Sequence, residues 1–137
     1  MKYYTLLIAL LVACLNTTYA EPSQLDKYKQ NYVEQLIPLL KERMGTELEM
    51  ESEADANEHV STIAKRMAEC QLIAIAVYPQ KYQDASIIPV ANGEDIRKAT
   101  SNVNAMIETD IKNGELSKND LKTITETATE KYKACLN

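Results

Sequence analysis

Residues 55–78 constrain the fold of this chain more than any other stretch, because they have the spacing of one long helix with a buried face. Apolar side chains recur every three or four positions, as on a helix face turned toward a core. They are Val60, Ile63, Met67, Cys70, Ala74 and Val77. From 72 to 77 every residue is apolar, so we expect this half of the helix to be the most buried part of the fold.

Three further stretches predict helices. Residues 23–44 carry apolar side chains at helical spacing, and we expect Pro38 to kink or break this helix because proline lacks the N–H that bonds the preceding turn. A third helix is expected over 94–112. A fourth is expected over 117–136, where a serine and an aspartate three residues later form a capping box.

The segment 79–93 predicts the longest irregular connection after the leader. It contains Pro79, Pro89 and Gly93, which interrupt regular structure. Within it, 80–85 could make one or two helical turns. We expect its apolar residues either to close the open end of the bundle or to serve a function, as long structured connections often do.

The cysteines predict how the helices pack. Cys70 and Cys135 each lie on an apolar helix face, and in an oxidising compartment such a pair forms a disulfide. The bond requires Cα atoms within roughly 7 Å. The two cysteines lie at similar depths in their helices if those helices run parallel. We therefore expect an all-α, four-helix bundle-like domain with a Cys70–Cys135 disulfide joining the second and fourth helices. In that arrangement the last three helices form a triangular core, and the kinked first helix lies across it.

The beginning of the chain predicts export. Lys2, an apolar run over 3–15 and the small residue Ala20 are the parts of a signal peptide, which gives 1–20 as signal peptide and 21–137 as a single helical domain. Alternatively, residues 11–14 resemble a bacterial lipobox, in which Cys14 would be lipidated. The first interpretation predicts a secreted or periplasmic protein, and the second predicts one anchored in the cell envelope by lipid.

Composition and motifs disfavour several functions. The net charge is -5 and the basic residues are scattered, so we expect no nucleic acid partner, and a membrane partner only through a lipidated Cys14. The one histidine, His59, has only its helical neighbours Ser61 and Thr62 as nearby hydroxyls, and these cannot form a triad along one helix. No phosphate loop, zinc pattern or calcium loop is present. We therefore expect neither an enzyme nor a cofactor or metal.

The favoured hypothesis is an exported protein-binding module, such as an inhibitor or immunity-type partner of another exported protein. An acidic surface would speed its encounter with a basic partner. The candidate contact residues are Glu47, Glu49, Glu51, Glu53, Tyr78 and Tyr82.

Two alternatives remain open. The first is a carrier of a small apolar ligand in the helical core, with candidate pocket residues Ile75, Ile87, Ile88 and Val90. A cavity of about a few hundred Å³ at these residues would favour the carrier over the protein-binding module. The second alternative is an envelope stress chaperone whose bundle opens at low pH as its carboxylates lose their charge together.

Overall fold

The computed structural model of the protein describes residues 23–44 and 52–137. These residues form five α-helices and no strand, so the all-α prediction is confirmed for them. The helices are α1 Gln24–Met44, α2 Glu53–Ile75, α3 Gln80–Ala91, α4 Ile96–Asn113 and α5 Lys118–Leu136. Within these ranges no helix combines the length and apolar character needed to cross a membrane.

Side-chain caps determine where most of the helices begin. Ser52, Asp95 and Ser117 each accept a hydrogen bond from the backbone N–H three residues later, at the starts of α2, α4 and α5. Ser23 does the same before α1. Each cap satisfies an N–H that has no partner inside the helix. At its other end α4 stops at Gly114, whose φ of 77° is readily adopted only by glycine.

The prediction of an irregular segment over 79–93 is wrong, because α3 occupies most of it. Pro79 precedes the helix, where a missing N–H costs nothing, and its carbonyl accepts from the N–H groups of Tyr82 and Gln83. Pro89 lies in the last turn of α3. The Gln83 side chain donates to the carbonyl of Tyr78 at 2.7 Å and holds the turn between α2 and α3. The described residues therefore contain five helices rather than four.

The predicted cysteine pair is confirmed, but the helices it joins are the second and the fifth. Cys70 and Cys135 are bonded, with their Cα atoms 5.5 Å apart. The two helices run antiparallel rather than parallel. Near the cysteines, Arg66 of α2 donates to the carbonyl of Cys135 in α5. Farther along α2, Ala74 shares a groove with Ala128, which precedes Cys135 in α5. The residue numbers therefore rise along α2 as they fall along α5. The additional helix α3 reverses the direction of the chain once more, so the last helix runs alongside α2 in the opposite direction.

The packing order differs from the predicted triangular core. Helix α1, expected to lie across the outside, packs between α2 and α3. Helix α5 then packs mainly on α2, and α4 mainly on α3. Pro38 does not break α1, which continues as one helix to Met44.

The buried face of α2 agrees only partly with the predicted stripe. Val60, Cys70 and Ala74 are buried, together with the small residues Ala64 and Ala68. Within the apolar run 72–77, however, Ile73 is 46% exposed. The expectation that this run is the most buried part of the fold is therefore wrong, because no described helix covers its outer face.

Candidate functional site

A cavity of about 240 Å³ lies where α1, α2, α3 and α4 meet, and it is the candidate functional site. Its wall combines aliphatic side chains, tyrosines and a few neutral polar groups. The lining residues are Tyr28, Tyr32, Gln71, Ile75, Tyr78, Tyr82, Ser86, Val90, Ile96, Ala99, Thr100, Val103, Asn104 and Ile107.

Tyrosines gather at this cavity. Four of the five tyrosines in the described ranges line it, and the fifth, Tyr132, lies in an adjoining groove that shares Gln71, Ile75 and Tyr78 with it. The chain contains no Phe and no Trp. All of the large aromatic rings in the described part of the chain therefore border one region, and such side chains combine a large apolar ring with a polar hydroxyl.

Tyr28 and Tyr32 form one side of the cavity. They lie four residues apart on α1 and so share a helix face, with ring centroids 5.5 Å apart and an interplanar angle of 31°. Burial is the main cause that raises the pKa of both hydroxyls above the ordinary value for tyrosine. Both phenols are therefore neutral at physiological pH.

Tyr82 forms another part of the wall and is held by an ionic network. Its side chain is 2% exposed, and its hydroxyl donates to the carboxylate of Asp110 on α4. The Lys81 ammonium lies 2.7 Å from the same carboxylate and 3.3 Å from that of Glu115. Lys81, with a smaller contribution from the Tyr82 hydroxyl, lowers the pKa of Asp110 below its ordinary value. The ionised carboxylate thus fixes the Tyr82 ring between α3 and α4.

Two amide side chains of α1 hold the opposite end of α3. Asn31 donates to the carbonyls of Val90 and Ala91, each at 3.0 Å. Gln35 donates to the carbonyl of Glu94 at 2.9 Å and accepts from the N–H of Ile96 at 2.8 Å. These bonds set the distance between α1 and the turn that joins α3 to α4, so they support the cavity wall.

Sequence reasoning missed Asn31 and Gln35, although a signal was present. They follow Tyr28 by three and seven residues and therefore lie on its apolar helix face. A polar residue within an apolar stripe indicates a buried hydrogen bond to another element. The partner groups are backbone atoms, which sequence alone does not identify.

The site contains no charged side chain. Every residue that lines the cavity is apolar or neutral and polar. Thr100 and Asn104, one turn apart on α4, are solvent exposed and lie at the rim. Because a buried charge needs a partner charge, this wall suits an uncharged molecule. Across 23–44 and 52–137, no three His, Cys, Asp or Glu side chains cluster as a metal site.

The structure brings together only some of the residues proposed from sequence. Of the candidate pocket residues, Ile75 and Val90 line the cavity. Ile87 is not a lining residue but packs against the buried cluster that contains Ile75 and Val90, and Ile88 is 44% exposed. Two of the four residues predicted for the ligand pocket therefore line the cavity.

The candidate partner contacts do not form one surface. Tyr78 and Tyr82 line the cavity, and the buried Tyr82 has little area to present to a protein partner. Glu53 is exposed at the start of α2. The other candidate contacts and the proposed lipidation site lie outside the described residues; they are Glu47, Glu49, Glu51 and Cys14.

Comparison of the chain with models of known protein families, with curated proteins and with solved structures finds no match.

Proposed function

We propose that this protein binds a small, uncharged and largely apolar molecule in the tyrosine-lined cavity. The observation that carries the proposal is a volume of about 240 Å³ bordered by four tyrosines and no charged side chain. An apolar cavity of about 150 Å³ holds a benzene molecule. The volume here therefore suits a compound of roughly ten non-hydrogen atoms, such as a substituted ring.

The unfilled volume of the cavity supports a binding role. Protein interiors are close-packed and contain few voids larger than a water molecule. A space of this size that side chains leave unfilled is therefore a departure from close packing. A small domain tolerates such a departure from close packing most readily at a functional site.

The carrier hypothesis is now favoured over the protein-binding module. A cavity that includes Ile75 and Val90 is the feature that distinguishes the two hypotheses, and it supports the carrier. The protein-binding module and the acid-activated chaperone remain predictions from composition.

We further propose that the protein acts outside the cytosol, as a secreted or periplasmic protein or as one anchored by lipid at Cys14. The Cys70–Cys135 disulfide supports this proposal, because such bonds persist in oxidising compartments. The leader pattern supports it as well. In that setting the protein would sequester or carry a sparingly soluble molecule.

The proposal is tested by filling the cavity. Ala99 is buried in α4 and lines the cavity, so Ala99→Leu places a larger side chain inside it. We expect native protein to bind acetophenone saturably, with amide chemical shifts changing around the cavity, and Ala99→Leu to weaken that binding at least about tenfold.

The matched control is Ala105→Leu, an identical change at an exposed position of the same helix. It should leave the affinity unchanged, and circular dichroism of both variants checks their helix content. Absence of saturable binding to the native protein, or equal weakening by both variants, would contradict the proposal.

A further inference from the structure

We propose that the ligand of this cavity carries a hydrogen-bond acceptor oxygen and that the hydroxyl of Tyr28 donates to it. The inference rests on the proposed function and adds the chemical class of the ligand: a neutral, ring-sized compound with a carbonyl or ether oxygen. Tyr28 thereby becomes the residue that determines specificity.

The first observation is the burial of Tyr28. Its side chain is 2% exposed and lies in an apolar core cluster with Ile75, Val90, Ala91 and Ala99. None of these side chains can accept a hydrogen bond. Its hydroxyl therefore depends on a group outside this cluster for a hydrogen bond.

The second observation concerns the hydrogen-bond partners of the Tyr28 hydroxyl. It has no hydrogen-bond partner in residues 23–44 or 52–137. In those same ranges, every fully enclosed side-chain nitrogen or oxygen does have a partner. The Tyr28 oxygen is therefore not fully enclosed by the described residues, and Tyr28 is one of the residues that line the cavity.

Tyr82 provides an internal comparison. It is equally buried and lines the same cavity, but its hydroxyl donates to Asp110. The Tyr82 hydroxyl is thus bonded to the protein, whereas Tyr28 lines the cavity and its hydroxyl has no bond to a described residue. Burial also raises the pKa of Tyr28, which keeps its hydroxyl protonated and able to donate throughout the physiological range.

An acceptor fits this position better than a donor does. A buried donor hydrogen without an acceptor is rarer in proteins than an under-used oxygen lone pair. A charged acceptor such as a carboxylate would need a nearby cation, and none lines the cavity. A neutral carbonyl or ether oxygen satisfies the phenol without introducing charge.

The experiment uses the purified full chain and two probes of the same shape. Acetophenone carries a carbonyl oxygen where α-methylstyrene carries a CH₂ group. We expect Tyr28→Phe, which removes only the hydroxyl, to weaken acetophenone binding about tenfold and to leave α-methylstyrene binding unchanged. Retained binding of the hydrocarbon also shows that the variant keeps its cavity.

Infrared spectroscopy supplies a readout that altered packing would not reproduce. The carbonyl stretch of bound acetophenone should lie at lower frequency in native protein than in Tyr28→Phe, because a donated hydrogen bond weakens the C=O bond. The matched control is Tyr132→Phe, at a tyrosine that lines the adjoining groove and not the cavity. It should change neither the affinity ratio of the two probes nor the stretch.

The outcomes separate this inference from the proposed function. If neither probe binds native protein saturably, both are overturned. If both probes bind and Tyr28→Phe weakens them equally, or weakens neither, the cavity binds ligands but the role assigned to Tyr28 is wrong. Selective loss of acetophenone affinity together with a raised stretch frequency supports the inference.

Discussion

Removal of the Cys70–Cys135 disulfide should destabilise the whole domain, because the bond closes a long loop around most of the fold. Within the described residues, α5 has only Ala128 fully buried, and it packs mainly on α2. The double variant Cys70→Ala/Cys135→Ala tests how much of the stability depends on the disulfide.

The expected magnitude follows from the separation of 65 residues between the cysteines. In the chain-entropy model, opening a loop of that length returns about 14 cal/mol/K to the unfolded chain, which is about 4 kcal/mol at 25 °C. For a domain of about 110 residues, this corresponds to a fall in Tm of roughly 15–20 °C.

The assay is urea denaturation followed by circular dichroism, with the free energy of unfolding extrapolated to water. Native protein treated with a reductant is the matched control, because it loses the bond but keeps both sulfur atoms. It should lose nearly as much free energy as the double variant. Any further loss in the double variant measures the packing of the buried Cys70 side chain. The reductant should have no effect on the double variant.

Two results would refute this reasoning. A loss below about 1 kcal/mol would show that the loop is not free in the unfolded chain. Amide hydrogen exchange that accelerates in α5 alone would show that the bond only anchors the last helix and does not support the domain.

Two further predictions concern the supports of the cavity wall. Gln35→Ala removes both bonds to the turn between α3 and α4 and should lower the free energy of unfolding by about 1–3 kcal/mol in urea denaturation. By contrast, Gln30→Ala removes only a bond within α1 and should change it by less than about 0.5 kcal/mol; equal effects would contradict the assigned role of Gln35. Because Lys81 lowers the pKa of Asp110 below its ordinary 3.8, this carboxylate stabilises the fold above pH 3.8, and its contribution is lost as the pH falls through the folded-state pKa. Asp110→Asn should therefore be less stable than native protein at pH 7 in thermal denaturation, and the difference should shrink below pH 3.8; a difference independent of pH would refute this.

The prediction of an irregular segment over 79–93 was wrong for a local reason. Pro79 and Pro89 predict breaks, but Pro79 precedes the first turn, where a helix tolerates proline, and Pro89 lies in the last turn, so most of α3 forms before it. Missing α3 then produced the wrong helix count and the wrong direction for the last helix. A single local error thus propagated into the topology, although the prediction of the cysteine pair itself was correct.

Local spacing in the sequence was sufficient to predict the all-helical class, the capping box at the start of the last helix and the pairing of Cys70 with Cys135, because each depends on residues a few positions apart or on the small number of cysteines. The cavity depends on contacts between distant parts of the chain. Tyr28 and Tyr82 lie on different helices and border the same space only because α1 packs between α2 and α3. Whether a phenol meets a carboxylate, as Tyr82 does, or faces a cavity, as Tyr28 does, is decided by side-chain packing across helices, which the periodicity of a single helix does not encode.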